Sequence, residues 1–142
     1  MKFGVTSLAL STLLATSALA APKPLSIDLS GSSLMDSATS DKIWTDNLPA
    51  RVIKLYPAKK FRFASEVTGG FNEAKLCVVS ARVMLLPVVF LPIQGTKVVY
   101  APLKSASTYD AWPALTQEQC QDAARTKLKE AIQSLTSSLA AS

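Results

Sequence analysis

The chain has 142 residues, with 15 Lys and Arg against 10 Asp and Glu, a net charge of +5 and no His. That length accommodates a single domain, and 49% apolar against 18% charged residues is too hydrophobic for a disordered chain, so a packed core is expected. The absence of His excludes Ser-His-Asp and Cys-His catalysis, His metal ligation and an imidazole pH switch, and two Cys alone cannot build a structural zinc site.

Met1 and Lys2 give a short positive start, followed by an uncharged apolar stretch from Phe3 to Leu14 and the small-x-small triplet Ala18-Leu19-Ala20. This is the pattern of a secretory signal peptide. Cleavage after Ala20 is expected, leaving residues 21–142 with no transmembrane anchor. No Cys follows the apolar stretch closely, which argues against a lipid-anchored form. The expected destination is the periplasm of a bacterium or the extracellular space.

That compartment decides how the cysteines read. Cys77 and Cys120 are the only two, and in an oxidising space an isolated pair is expected to form a disulfide, closing a loop of about 44 residues. Neither lies in a Cys-x-x-Cys motif that would activate a thiol.

Within the mature chain, residues 21–50 read as an extended N-terminal arm with a short helix, and residues 51–142 as an α+β core. Leu25 to Leu29 alternates with period two, as in a short strand or extended arm. Gly31 to Ser40 is Ser-rich and expected to be a loop. Ser40 is the expected cap of a helix over Asp41 to Leu48, stopped by Pro49. Arg51 to Tyr56 and then Phe61 to Val67 read as strands. Thr68-Gly69-Gly70-Phe71 is the expected tight connection.

Leu76 to Ile93 approaches the length of a membrane span. Arg82 near its middle, the interruptions at Pro87 and Pro92 and the high Val content favour instead a buried central strand, followed by a second strand around Val88 to Leu91. The Val88–Pro92 stretch is assigned to the core, with an exposed docking edge as the alternative. A further strand is expected at Val98–Tyr100 after a Gln94-Gly95-Thr96 turn, and Tyr109–Pro113 as a loop whose Trp112 lids the core or anchors an interface.

The last element carries the strongest signal. Thr116 followed by Gln119 is a capping box, and Leu115 with Cys120 forms a hydrophobic staple. Cys120, Ala123, Ala124, Leu128, Ala131, Ile132, Leu135 and Leu139 keep helical spacing, defining an amphipathic helix over 116–140. Cys77 begins the strand row Val79, Ala81, Val83, Leu85. A Cys77–Cys120 bond therefore lays the helix across that face and turns Arg82 away from it. The expected fold is α+β: an antiparallel sheet covered on one face by a long C-terminal helix and pinned by one strand-to-helix disulfide.

For function, no nucleophile elbow, phosphate loop or dinucleotide fingerprint is present. Glu66 and Glu73, flanking the double Gly, are the only carboxylate pair to nominate for acid–base work. No catalytic residue, metal ligand or cofactor is assigned, and the protein is read as a non-enzyme. The feature that points outward is the basic stretch Arg51, Lys54, Lys59, Lys60 and Arg62, interleaved with Tyr56, Phe61 and Phe63. Such a surface suits an acidic protein or an anionic envelope polymer, with Tyr56 as an anchor; nucleic acid is a poor partner for an exported chain. The leading expectation is a small exported binding protein, of inhibitor or immunity type, that occludes an envelope-targeting enzyme or toxin. The alternative is an envelope component that binds an anionic polymer or assembles with itself through a sheet edge.

Overall fold

The structure, a computed structural model, describes residues 26–31 and 33–141. The expected signal peptide and its cleavage site lie outside the described residues. In chain order the elements are β1 (Ser26–Asp28), α1 (Ser37–Asn47), α2 (Ala50–Leu55), β2 (Phe61–Phe71), β3 (Cys77–Leu91), β4 (Gly95–Val98), β5 (Lys104–Trp112) and α3 (Gln117–Ala140).

β3 organises the molecule. On one side it pairs antiparallel with β2 over its length from Cys77 to Pro87, and β2 in turn pairs in parallel with β1. On the other side β5 covers Cys77 to Leu85, and β4 takes over from Val88 to Leu91. The crossing from β4 to β5 stays tied to the same strand, because the Val99 N–H donates to the Pro87 carbonyl and the Leu103 N–H to that of Leu85. The expected two strands are thus one 15-residue strand running through Pro87, whose missing N–H falls where β5 has ended and β4 has not begun.

α3 packs across one face of this sheet. Its buried positions, among them Cys120, Ala124, Leu128, Ile132, Leu135 and Leu139, meet Val79, Ala81, Val83 and Leu85 of β3 and Phe63 and Val67 of β2 in one core. At 1.5 Å per residue the helix is about 36 Å long. Its start is the expected capping box: the Gln119 N–H donates to Thr116 Oγ1 at 3.2 Å, and the Thr116 N–H to Gln119 Oε1 at 2.8 Å. The Cys77–Cys120 disulfide joins β3 to α3 with the Cα atoms 5.8 Å apart, and Arg82 lies exposed on the opposite face.

The segment before β2 belongs to the same core through Leu34, Met35, Trp44 and Val52. Trp44 is fully buried, tilted against Phe63 at 5.4 Å. Its Nε1–H donates to Ser65 Oγ at 3.0 Å, and that hydroxyl also bonds Ser40 Oγ at 3.0 Å. These contacts lock α1 to β2 and correct the expected capping. The cap is Asp36, one turn earlier, whose carboxylate accepts from the Thr39 N–H at 2.9 Å and the Thr39 hydroxyl at 2.7 Å. Ser40 is drawn inside the helix by its partner on β2. Residues 37–40 are accordingly helical rather than loop.

Four further expectations are corrected. Arg51–Tyr56 is not a strand: after Pro49 the chain makes the single helical turn α2, with Val52 buried. Its β-branched Val52 and Ile53 imitate a strand, but the spacing of Val52 and Tyr56 is equally that of one helix face. Gly69-Gly70 is not the turn between β2 and β3. Both glycines lie inside β2 at positive φ, and a Cβ on Gly69 would stand 2.0 Å from the Val78 carbonyl oxygen, so Gly69 permits close approach of two paired strands. The reversal comes at Asn72–Leu76, where the Asn72 N–H bonds the Leu76 carbonyl. Finally, Tyr109–Pro113 is not wholly a loop, because β5 runs through Trp112; and the turn before β4 falls at Leu91–Gln94, which moves that strand three residues ahead of its expected start.

Candidate functional site

The basic stretch is spread over a helix, a turn and a strand. Arg51 and Lys54 stand exposed on α2, Lys59 and Lys60 are exposed in the turn that follows, and Arg62 opens β2. The turn is closed by the Lys60 N–H bonding the Pro57 carbonyl at 2.9 Å. Two members look inward. The Tyr56 ring meets Phe61 edge-on at 5.3 Å, and both pack against the main core. The Arg62 guanidinium folds back to donate to the carbonyls of Ala58 and Phe61, so it braces the turn. Lys59 and Lys60 are the cations this turn holds out to solvent.

Beside them lies Val88–Pro92, where the structure corrects the expected core burial in favour of its alternative, an exposed edge. The Val88 N–H donates to the Lys60 carbonyl at 2.8 Å, and Phe61 faces Pro87. There β2 ends. Beyond it β3 continues with β4 as its only partner among the described strands, forming a two-stranded ribbon that projects from the end of the sheet. Ile93 at the tip is 98% exposed and Phe90 is 73% exposed; Val89 and Leu91 are exposed too. Lys97 of β4 faces Val89, and its ammonium donates to Gln94 Oε1. Tyr100 and Leu103, in the crossing to β5, are also exposed. The signal for this was present in the sequence as an apolar run closed by Pro92, without the polar alternation of a half-buried strand.

The charge at this end has one sign. The chain carries no Asp or Glu from Asn47 to Ser65 or from Ala74 to Tyr109, and these segments build the turn, the ribbon and the crossing. Lys59 and Lys60 at the base of the projection and Lys97 on β4 therefore stand on segments that carry no carboxylate. Lys104, at the start of β5, donates to the Ser138 carbonyl of α3 at 3.1 Å.

The nominated carboxylates do not meet. Glu66 faces Arg82 in the middle of the β2–β3 ladder, while Glu73 lies beyond the end of β2. The five strand steps from Glu66 to Phe71 alone span roughly 17 Å, well beyond the reach of a shared catalytic site. On the helix side, an open depression of about 340 Å³ between α1 and α3 is lined by Asp46, Asn47, Pro49 and Gln133 among others. Its carboxylate, Asp46, is paired with Lys42 at 2.7 Å.

At the opposite end of the sheet Trp112 packs against the core, as one of the two readings expected. The Lys127 ammonium lies 5.7 Å from its ring centroid and bridges Glu130 at 2.8 Å and Asp110 at 3.4 Å. The hydrogen bond to Glu130 first, then that to Asp110, raises the Lys127 pKa against the opposing effect of desolvation. This cluster ties β5 to α3 and sets two carboxylates against one ammonium, so it carries no excess of positive charge.

No helix among the described residues is long and apolar enough to cross a membrane. No protein-family model, characterised protein or solved structure matches the chain.

Proposed function

We propose that the protein is an exported, non-enzymatic binding protein that docks on an anionic partner of the cell envelope through the ribbon end of its sheet. The observation that carries this reading is one projection with Lys59 and Lys60 at its base and Lys97 on β4, built from segments without a single Asp or Glu. Unopposed charge of one sign steers an oppositely charged surface and sets its orientation on arrival. Export is supported by the N-terminal pattern and by a disulfide that leaves no free cysteine among the described residues. An inhibitor that occludes an envelope enzyme or toxin is the protein-partner form of this activity.

The test is co-sedimentation with an envelope fraction of the host over a salt series. Exchanging Lys59, Lys60 and Lys97 together for Glu is expected to lower binding at least tenfold, and wild-type binding is expected to weaken with salt. Arg62 is left in place because it braces the turn. Binding indifferent to both salt and charge reversal would remove the reading.

A second reading is favoured by β5, a nine-residue strand that pairs with β3 on one side and with no other described strand. Such an edge can pair with a second copy. Sedimentation showing a monomer at all accessible concentrations would dismiss it.

A further inference from the structure

We infer that the β3–β4 ribbon is an interfacial membrane anchor: Phe90, Leu91 and Ile93 enter the headgroup region of an anionic bilayer while Lys59, Lys60 and Lys97 pair with its lipid phosphates. The inference rests on the binding reading above and names the partner.

Reach comes first. The last tie to the body of the sheet is the bond from the Val88 N–H to the Lys60 carbonyl. From there to the turn at Leu91–Gln94 the ribbon extends by about four residues, or roughly 13 Å. Interfacial elements bury their apolar side about 5–10 Å into the headgroup and acyl boundary. The projection therefore brings Ile93 to that depth while the lysines at its base stay at the phosphates.

The distribution of side chains selects lipid over protein. Phe90 faces Thr96, and its neighbours Val89 and Leu91 face Lys97 and Gly95, so consecutive apolar side chains lie on opposite faces of the ribbon. A docking protein would cover one face and leave the other in water; lipid surrounds both. Apolar side chains on both faces reach solvent, Phe90 on one and Val89 and Leu91 less fully on the other, and Ile93 at the end of the projection is almost wholly in solvent. Lys97 can extend its ammonium outward from an apolar setting, as long cationic side chains do at bilayer surfaces, and exposed Tyr100 suits the headgroup level.

The backbone limits the depth. Past Val88, β3 has lost β2 as a neighbour, so its outer edge carries N–H and C=O groups that need water. Hydrocarbon cannot satisfy them. The ribbon is thus suited to the hydrated interface and not to spanning.

The experiment uses protein purified from an exporting host, its N-terminus read by mass spectrometry, with vesicles of phosphatidylethanolamine and phosphatidylglycerol or of phosphatidylcholine alone. Wild type is expected to co-sediment with the anionic vesicles and release as salt rises. Exposed apolar side chains of this size contribute roughly tenfold each to partitioning, so Phe90→Ser with Ile93→Ser should lower it by one to two orders of magnitude at unchanged circular dichroism. Phe90→Trp should keep binding and add a blue-shifted emission on anionic vesicles alone. Partitioning unchanged in the double variant, or no shift at position 90 despite binding, overturns the anchor. So does a ribbon-mediated dimer that the double variant dissociates while wild type ignores vesicles. Wild type that ignores vesicles but binds the envelope fraction in a salt- and charge-dependent way also overturns it; the binding reading then stands, with a protein or polymer as partner.

Discussion

Opening the Cys77–Cys120 bond tests how the fold divides its stability. The two residues are 43 positions apart, and closing a loop of that length removes roughly 13 cal/mol/K of entropy from the unfolded chain, about 4 kcal/mol at 25 °C. Both cysteines are fully buried, so replacing each by Ala adds a packing loss on the order of 1 kcal/mol per vacated sulfur. Urea unfolding followed by circular dichroism separates the two contributions. The oxidised protein is compared with protein refolded under reductant, which keeps both sulfurs, and with the Cys77→Ala, Cys120→Ala double variant. The dithiol form should lie about 4 kcal/mol below the disulfide form, and the double variant about 2 kcal/mol lower still. The reduced unfolded chain is less constrained, so its m-value should rise as well. Since small domains hold only about 5–15 kcal/mol in total, the reduced protein should be marginal. Hydrogen exchange should show α3 fraying first around residues 117–124, because Leu128, Ile132, Leu135 and Leu139 still hold its later turns in the core. A dithiol form within about 1 kcal/mol of the oxidised one would refute the loop-entropy argument.

Ser65→Ala removes the acceptor of the Trp44 indole N–H and the partner of the Ser40 hydroxyl, all buried; a loss of about 1–3 kcal/mol is expected in chemical denaturation, and a loss below measurement would show that water replaces the network. Lys127 offers a pH-dependent counterpart. Its pKa is raised in the folded state, so its contribution is complete below the unfolded value of about 10.4 and is lost as pH rises through the higher folded one. Between pH of about 9 and 12 the urea midpoint of wild type should therefore fall more steeply than that of Lys127→Met; parallel curves would contradict the assignment.

Which elements could be read from sequence depended on whether the forces that form them are local. α3 carries its own instructions: a capping box, early-turn acid and an apolar stripe, all within one segment. The disulfide followed from an isolated cysteine pair in a chain read as exported, and with Cys120 on that stripe and Cys77 on a strand row it laid the helix across the sheet. The elements that were misread answer to distant partners. Ser40 sits inside α1, not at its cap, because Ser65 receives it. Gly69 sits inside β2, not in a turn, because the Val78 carbonyl approaches it. β5 gave no alternating apolar signal because much of its grip on α3 is polar. Thr108 donates to the Lys127 carbonyl at 2.9 Å, Asp110 reaches the Lys127 ammonium, and Lys104 donates to Ser138. For the candidate site, the lysines of the turn were found from charge alone. The ribbon is legible only as the alternative to core burial, because an apolar run does not reveal where the strand opposite it stops.

These features divide β3 into two ends with different constraints. At Cys77 the strand is held by β2, β5 and a covalent bond to α3; past Pro87 only β4 accompanies it. Exposed apolar side chains oppose solubility and draw a chain toward aggregation, so a fold that keeps Phe90 and Ile93 in water needs the rest of the sheet secured independently of them. The clamp at the far end supplies that security without using the ribbon's own apolar surface. It also holds the ribbon on a rigid strand, so that little backbone freedom remains to be lost when a partner arrives. On this argument the disulfide and the projection are linked features. Loosening the Cys77 end should weaken binding by broadening the ribbon's orientations, even though the sulfurs lie at the opposite end of the strand from Phe90 and Ile93.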